Sequence, residues 1–272
     1  MRFFFKYTFF GFVVAWPFLI LFIMPSSLFG IQLEQRLKGP SINYLLGTDL
    51  FGRDLLYRLS YGLGISYLMA ISSVIISFLG PVFLLYAYLE SNYLVVRKLI
   101  DKTMNYLLVV PTIIIALLLS SFLDSNLMGI FLSITLYGFC FLYFSLKPQF
   151  VLLSKQPYIA YAKQSGFSKI RIIFNHYLKP IKASLMERLK LVFLFFIATE
   201  TGLSFIGISL SPTIPSIGKI LAQQYKYFYI FPSQLCLSIL FFVGNLIILE
   251  KIVSDLITRE KIKNHLSAGE EF

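Results

Sequence analysis

The 272-residue sequence has little with which to carry out chemistry in water: two histidines, two cysteines, one tryptophan and 14% charged residues, against about 25% charged in an average soluble domain. The charge shortage excludes an ordinary soluble domain. Only His176 and His265 could serve as imidazole ligands or bases, and no HExxH, no paired metal-ligand spacing and no GxSxG elbow occurs. A phosphate loop is missing too, because Gly218-Lys219 has neither the preceding glycine nor the following hydroxyl. If ATP is used, another chain binds it, and an enzyme with its own cofactor or metal is not expected. Cys140 and Cys236 lie in uncharged runs without a partner at ligand spacing and read as packing residues. No basic cluster is interleaved with stacking aromatics in a polar segment, which argues against nucleic acid despite the net charge of +11.

What is abundant is apolar: 57% hydrophobic residues, with 29 Phe and 17 Tyr, in a chain whose solvent is lipid. One charge at the bilayer centre costs about 2.5–3.5 kcal/mol, so stretches without Asp, Glu, Lys and Arg mark the spans. Six are expected. The first runs from Tyr7 to Met24, longer than a signal-peptide core and without an Ala-x-Ala cleavage site. The second is Leu59–Leu89, with a kink expected at Gly80-Pro81. Thr103–Leu123 and Ser125–Leu146 are read as a tight hairpin turning at Asp124. Leu191–Leu210 carries the single acid Glu200, and Tyr227–Leu249 closes the set. The fold class is therefore all-α integral membrane. Its organisation is a first transmembrane helix over 1–24, an extracytoplasmic segment over 25–60, a five-helix core over 61–254 that includes a polar loop at 147–190, and a tail over 255–272.

Basic residues orient the chain. With both termini cytoplasmic, 18 of the 24 Lys and Arg fall inside, nine of them in 147–190. Only Arg36, Lys38, Arg53, Arg58, Lys219 and Lys226 fall outside. That loop reads as two short helices. Pro157 opens the first, Gly166 ends it by adopting positive φ, and Phe167-Ser168 leads into a second. There Ile170, Ile173, Phe174 and Tyr177 recur at i, i+3, i+4 and i+7 as one apolar face, with Lys169, Arg171, Asn175 and Lys179 around it and Pro180 ending the pattern. Such a helix could lie on lipid, but the defined reversal favours presentation to a soluble partner's groove. Glu200 is read either as a proton or substrate site or as a carboxyl hydrogen-bonded to Thr199, Thr201 or a neighbouring helix.

These segments resemble a known family. Ala160-Tyr161-Ala162 with Gly166, Ser168, Arg171, His176 and Leu178 is similar to the EAAxxxG loop of ABC importer permeases, with Ala160 in place of the Glu, Tyr161 in place of an Ala, and the proline of its distal LP one place late, at Pro180. Gly47, Thr48, Asp49, Gly52, Arg53, Asp54 and Arg58 match the GTDxxGRDxxxR signature of the C-type permease subunit of dipeptide, oligopeptide and nickel importers. Glu200-Thr201-Gly202-Leu203-Ser204-Phe205-Ile206-Gly207 resembles its ExxLSFLG, and Pro212–Gly218 its PxxPSWG, with Ile217 for Trp. The stretch before Pro111 departs, with Tyr93-Leu94, Arg97 and Asn105 where the family has a double glycine and acids.

The resemblance implies a peptide-transport permease of the bacterial inner membrane. It would pair with a second permease subunit, bind two ATP-binding subunits through the 157–180 helices, and receive solute from an extracytoplasmic solute-binding protein, with membrane lipid around it. The rival is an ion-coupled transporter or channel using Glu200; the lack of detectable inverted repeats counts against it.

Overall fold

The computed structural model describes residues 2–23, 30–123, 126–208 and 214–269. The elements are α1 (Arg2–Ile23), α2 (Leu55–Glu90), α3 (Leu94–Val109), α4 (Thr112–Phe122), α5 (Asn126–Ser154), α6 (Pro157–Gln164), α7 (Lys169–Arg171) running into a π segment (Ile172–Leu178), α8 (Lys182–Phe205), α9 (Ile217–Tyr225) and α10 (Pro232–Gly269). Three described helices are long and apolar enough to cross a membrane: α2, α5 and the Pro232–Ile262 part of α10. The pair α3 and α4 is apolar and long enough only when taken together, as a broken span or a re-entrant loop, and the chain is an all-helical membrane protein.

That break corrects the expected third span. The helix starts at Leu94 rather than Thr103, and it turns by 91° at Val110-Pro111. Proline lacks an N–H and pushes the residue before it out of the helical region; Val110 accordingly sits at φ −70, ψ 124. The expected turn at Asp124 lies outside the described residues. The Gly80-Pro81 pair lies inside one continuous helix, α2, from Leu55 to Glu90. Gly80 allows close approach, since a Cβ there would overlap the ring of Phe139 on α5. The fifth apolar run belongs to a longer helix whose first turns carry Lys182, Glu187, Arg188 and Lys190.

Two buried cores hold the bundle. One gathers Leu55, Leu59, Leu63 and Tyr67 of α2 with Ile130 and Ile134 of α5, Phe196 and Ile197 of α8, and Ile217 and Ile220 of α9. The second lies at the other end of α2. There Val82, Leu85 and Tyr86 meet Tyr143, Leu146 and Phe150 of α5, Ile159 and Ala162 of α6, and Ile172, Ile173, Tyr177 and Leu178 of the π segment. The loop between α5 and α8 thus supplies six of the fifteen buried residues of this core and is not an appendage to it.

Candidate functional site

The helix-glycine-helix segment is built as its residues dictate. Pro157 occupies the first turn of α6, where a missing N–H costs nothing. At the other end Gly166 has φ +75, the Phe167 N–H donates to the Ala162 carbonyl at 3.3 Å and the Gly166 N–H to that of Lys163 at 3.2 Å. This is a Schellman stop, whose left-handed residue is normally glycine. Ser168 caps the next helix, its Oγ accepting from the Arg171 N–H at 3.4 Å.

The second helix departs from the expected face. Its backbone widens to a π turn, marked by the Lys179 N–H donating to the carbonyl of Phe174, five residues back, at 3.2 Å. Burial therefore recurs as Ile172 and Ile173, then Tyr177 and Leu178, while Ile170 and Phe174 are exposed. The sequence carries a trace of this: Lys179 stands between Leu178 and Pro180, where the family motif has none, and a wider turn takes up one extra residue.

Of the six residues matched to the family loop, Ala162 and Leu178 face the core, Ser168 caps, and Gly166 reverses the chain. Arg171 lies over the Phe167 ring at 4.2 Å, and the half-buried His176 stacks on Phe167 at 6.0 Å with Tyr158 at 6.1 Å. Tyr158, Tyr161, Ile170 and Phe174 are the large apolar side chains that this segment leaves exposed. Periodicity at 3.6 residues could not separate Ile170 and Phe174 from the core-facing Ile173 and Tyr177.

The signature residues form a loop knotted around one carboxylate. Asp49 accepts from the backbone N–H of Phe51 and of Arg53, each at 2.9 Å, and from Arg53 Nε at 2.8 Å, and it pairs with Arg58. Asp54 caps α2, accepting from the N–H of Leu56 at 2.8 Å and of Tyr57 at 3.3 Å; burial raises its carboxyl above the ordinary value although these bonds oppose the rise. Thr48 pairs with Asp54 as an isolated antiparallel bridge. Its Oγ accepts from the Lys38 N–H at 2.8 Å and donates to the Gln35 carbonyl at 2.5 Å. Gly47 and Gly52 have φ +80 and +73 and sit against backbone, with the Gln32 carbonyl where a Cβ of Gly52 would be. The Gln234 amide, at the start of α10, donates to the carbonyls of Lys38 at 3.0 Å and Thr48 at 3.1 Å.

Lys219 of α9 lies near this loop, its ammonium pKa lowered by burial first and then by Arg58 and Arg53. Ser216 caps α9 through the Lys219 N–H, and Gly218 lets α9 lie directly on the backbone of α8 at Thr201. The 200–207 and 214–218 stretches are thus packed on one another, while Pro212 and Thr213 lie outside the described residues.

Glu200 is fully buried. Its carboxylate accepts from Ser66 of α2 at 2.8 Å and from Ser204, one turn along its own helix, at 2.9 Å. Of the expected partners, the neighbouring helix is the one found; Thr201 Oγ1 is buried without a described partner. No group of three or more His, Cys, Asp or Glu suited to a metal occurs among the described residues.

Comparison with known proteins gives a consistent picture. Residues 87–257 match the family described as binding-protein-dependent transport system inner membrane component. A putative peptide transport system permease protein of Brucella suis is 29% identical over 197 residues, covering 72% of this chain and 66% of that one. The di/tripeptide transport system permease protein DppC of Pseudomonas aeruginosa is 28% identical over 200 residues, 70% of this chain and 63% of that. The oligopeptide transport system permease protein OppC of Mycobacterium tuberculosis is 26% identical over 235 residues, 80% and 77%. The match to the first two spans just under two thirds of their length. A chain of the MetNI methionine ABC transporter in an inward-facing conformation shares the fold at TM-score 0.58 and 14% identity, covering 75% of this chain and 97% of that one.

Proposed function

Because the chain belongs to the binding-protein-dependent transport system inner membrane component family, we propose that it is the permease subunit of an ABC importer that carries peptides or a related small solute. It forms the translocation path with a second permease, without an ATP site of its own. The substrate class is taken from the peptide transport relatives. Two ATP-binding subunits act from the cytoplasm and a solute-binding protein delivers from the opposite side. The topology has six spans, α1, α2, the α3–α4 pair, α5, α8 and α10, with both termini cytoplasmic as the basic residues favour.

One observation carries the mechanism. Tyr158, Tyr161, Ile170 and Phe174 stand exposed on a segment whose other side is buried in the second core. A rigid seat with an apolar outer face suits a groove on a soluble partner. Closure of the ATP-binding subunits would then move this seat, and the difference in contacts between the two states would switch the path from one side to the other. The ion-coupled alternative is not favoured: Glu200 is bonded to two serines in the bundle interior. Co-purification from native membranes, with identification of the partner chains and of the ligand on the binding protein, tests the assignment. Recovery of an ATP-binding chain is expected, and its absence from a transport-competent preparation would refute it.

A further inference from the structure

Tyr177 has a position that docking alone does not require. The side chain is fully buried, its ring stacked on Phe150 of α5 at 5.0 Å and 20° and set edge-on to Tyr86 of α2 at 6.2 Å and 86°. One side chain of the loop segment therefore touches both long helices at once. The π winding puts it there. With burial recurring five residues on, Tyr177 and Leu178 follow Ile172 and Ile173 onto the core side, while Phe174, the large apolar residue between the two pairs, is turned outward.

What Tyr177 touches is itself tied together. Asp101 of α3 accepts from Tyr143 of α5 at 2.7 Å, from Lys147 of α5 at 2.5 Å and from Tyr88 of α2 at 3.3 Å. The ends of α2, α3 and α5 thus form one linked block beside the aromatic contact. Ile159, Ala162, Ile172, Ile173 and Leu178 of the loop pack in the same core without a ring contact to α2 or α5, and the polar tie between the loop and this block is the ion pair of Lys163 with Glu90. It is more than a third exposed on both sides, so solvent screens it and it transmits little force. Stacked rings in a close-packed core cannot slide without opening a void, so they move together.

We propose that Tyr177 is the positioning residue through which movement of the ATPase-docking segment is passed to α2 and α5 as one body. The inference rests on the transport reading above and goes beyond it by separating docking from transmission. Docking uses the exposed face; transmission uses the buried ring. The Tyr177 hydroxyl has no hydrogen-bond partner among the described residues, so the ring and not the hydroxyl is the working part.

The test uses the full complex with its ATP-binding subunits and binding protein, reconstituted in vesicles, and measures recovery of the ATP-binding chain, ATP hydrolysis and uptake. Tyr177→Ala is expected to keep recovery and hydrolysis within twofold of wild type while the uptake obtained per ATP falls at least tenfold, and Tyr177→Phe is expected to restore that ratio to within twofold. If Tyr177→Ala does not reach the membrane, Tyr177→Leu, which fills the site without a planar ring, is held to the same criteria. A wild-type ratio in the Ala or Leu variant overturns the proposal, as does a Phe variant as defective as Ala. Loss of the ATP-binding chain in the Ala variant also overturns it, because Tyr177 would then act in docking. A wild-type complex with no ATP-dependent uptake would instead bring down the transport reading itself.

Discussion

Glu200 of α8 and Ser66 of α2, 134 residues apart, share a hydrogen bond of 2.8 Å inside the bundle, and Ser204 supplies a second at 2.9 Å. A carboxyl held by two hydroxyls joins two helices and needs no proton traffic to account for its presence.

Replacing Glu200 by Gln keeps the shape and the ability to bond both serines, since a hydroxyl can turn to accept from an amide. ATP-driven uptake should survive in Glu200→Gln with little loss and be indifferent to a pH gradient. Reconstituted transport with and without ATP, and with and without the gradient, decides the matter. Gradient-driven uptake without ATP that vanishes in the variant would restore the ion-coupled alternative. Glu200→Ala leaves a cavity and two serines to find new partners, at about 2–4 kcal/mol, and should lower thermal stability in detergent.

Gly166 has open space where a Cβ would be, so substitution there costs backbone strain alone. Gly166→Ala and Gly166→Val should weaken the α6 stop by about 1–3 kcal/mol, with Gly166→Asn milder because Asn tolerates the left-handed region. Recovery of the ATP-binding chain on co-purification should fall in the order Gly, Asn, Ala, Val, with membrane insertion normal throughout. Equal recovery for all four would separate this segment from docking.

Asp49 is the sole carboxylate facing both Arg53 and Arg58 in the described ion pairs, and Arg58 is 4% exposed. Asp49→Asn leaves that guanidinium buried without its countercharge, which costs about 3–5 kcal/mol. The variant should melt well below wild type or fail to accumulate. Arg53→Gln removes a more exposed partner and should be milder. If the two variants melt together, Asp49 is not the centre of the loop.

Orientation is tested by thiol labelling in intact cells. In a background lacking Cys140 and Cys236, Lys155→Cys and Tyr229→Cys place single thiols at exposed positions near opposite ends of the bundle. An impermeant reagent should reach only residue 229. Reaction at 155 alone would invert the topology.

Local chemistry was legible in the sequence where it is one-dimensional. Pro157 and Gly166 announce a helix start and a left-handed stop, and the structure has both in place; Ser168, read only as leading into the next helix, caps it. Facing was not legible. Ile170, Ile173, Phe174 and Tyr177 are all apolar, so polarity could not tell the exposed pair from the buried pair, and the π turn overrode the period that would have ranked them. The break at Pro111 was hidden for a related reason: an uncharged run shows where lipid is tolerated, not where the backbone bends. Partners from distant sequence, such as Ser66 for Glu200 or Gln234 for Thr48, leave no local mark at all.

The Gln234 amide also sets a timetable for biogenesis. Its two acceptors, the carbonyls of Lys38 and Thr48, lie 196 and 186 residues earlier in the chain. The loop that holds them is thus synthesised long before the residue it closes against. A nascent chain arrested before α10 would therefore present the 32–54 loop with its internal bonds around Asp49 but without its tie to the rest of the bundle through Gln234.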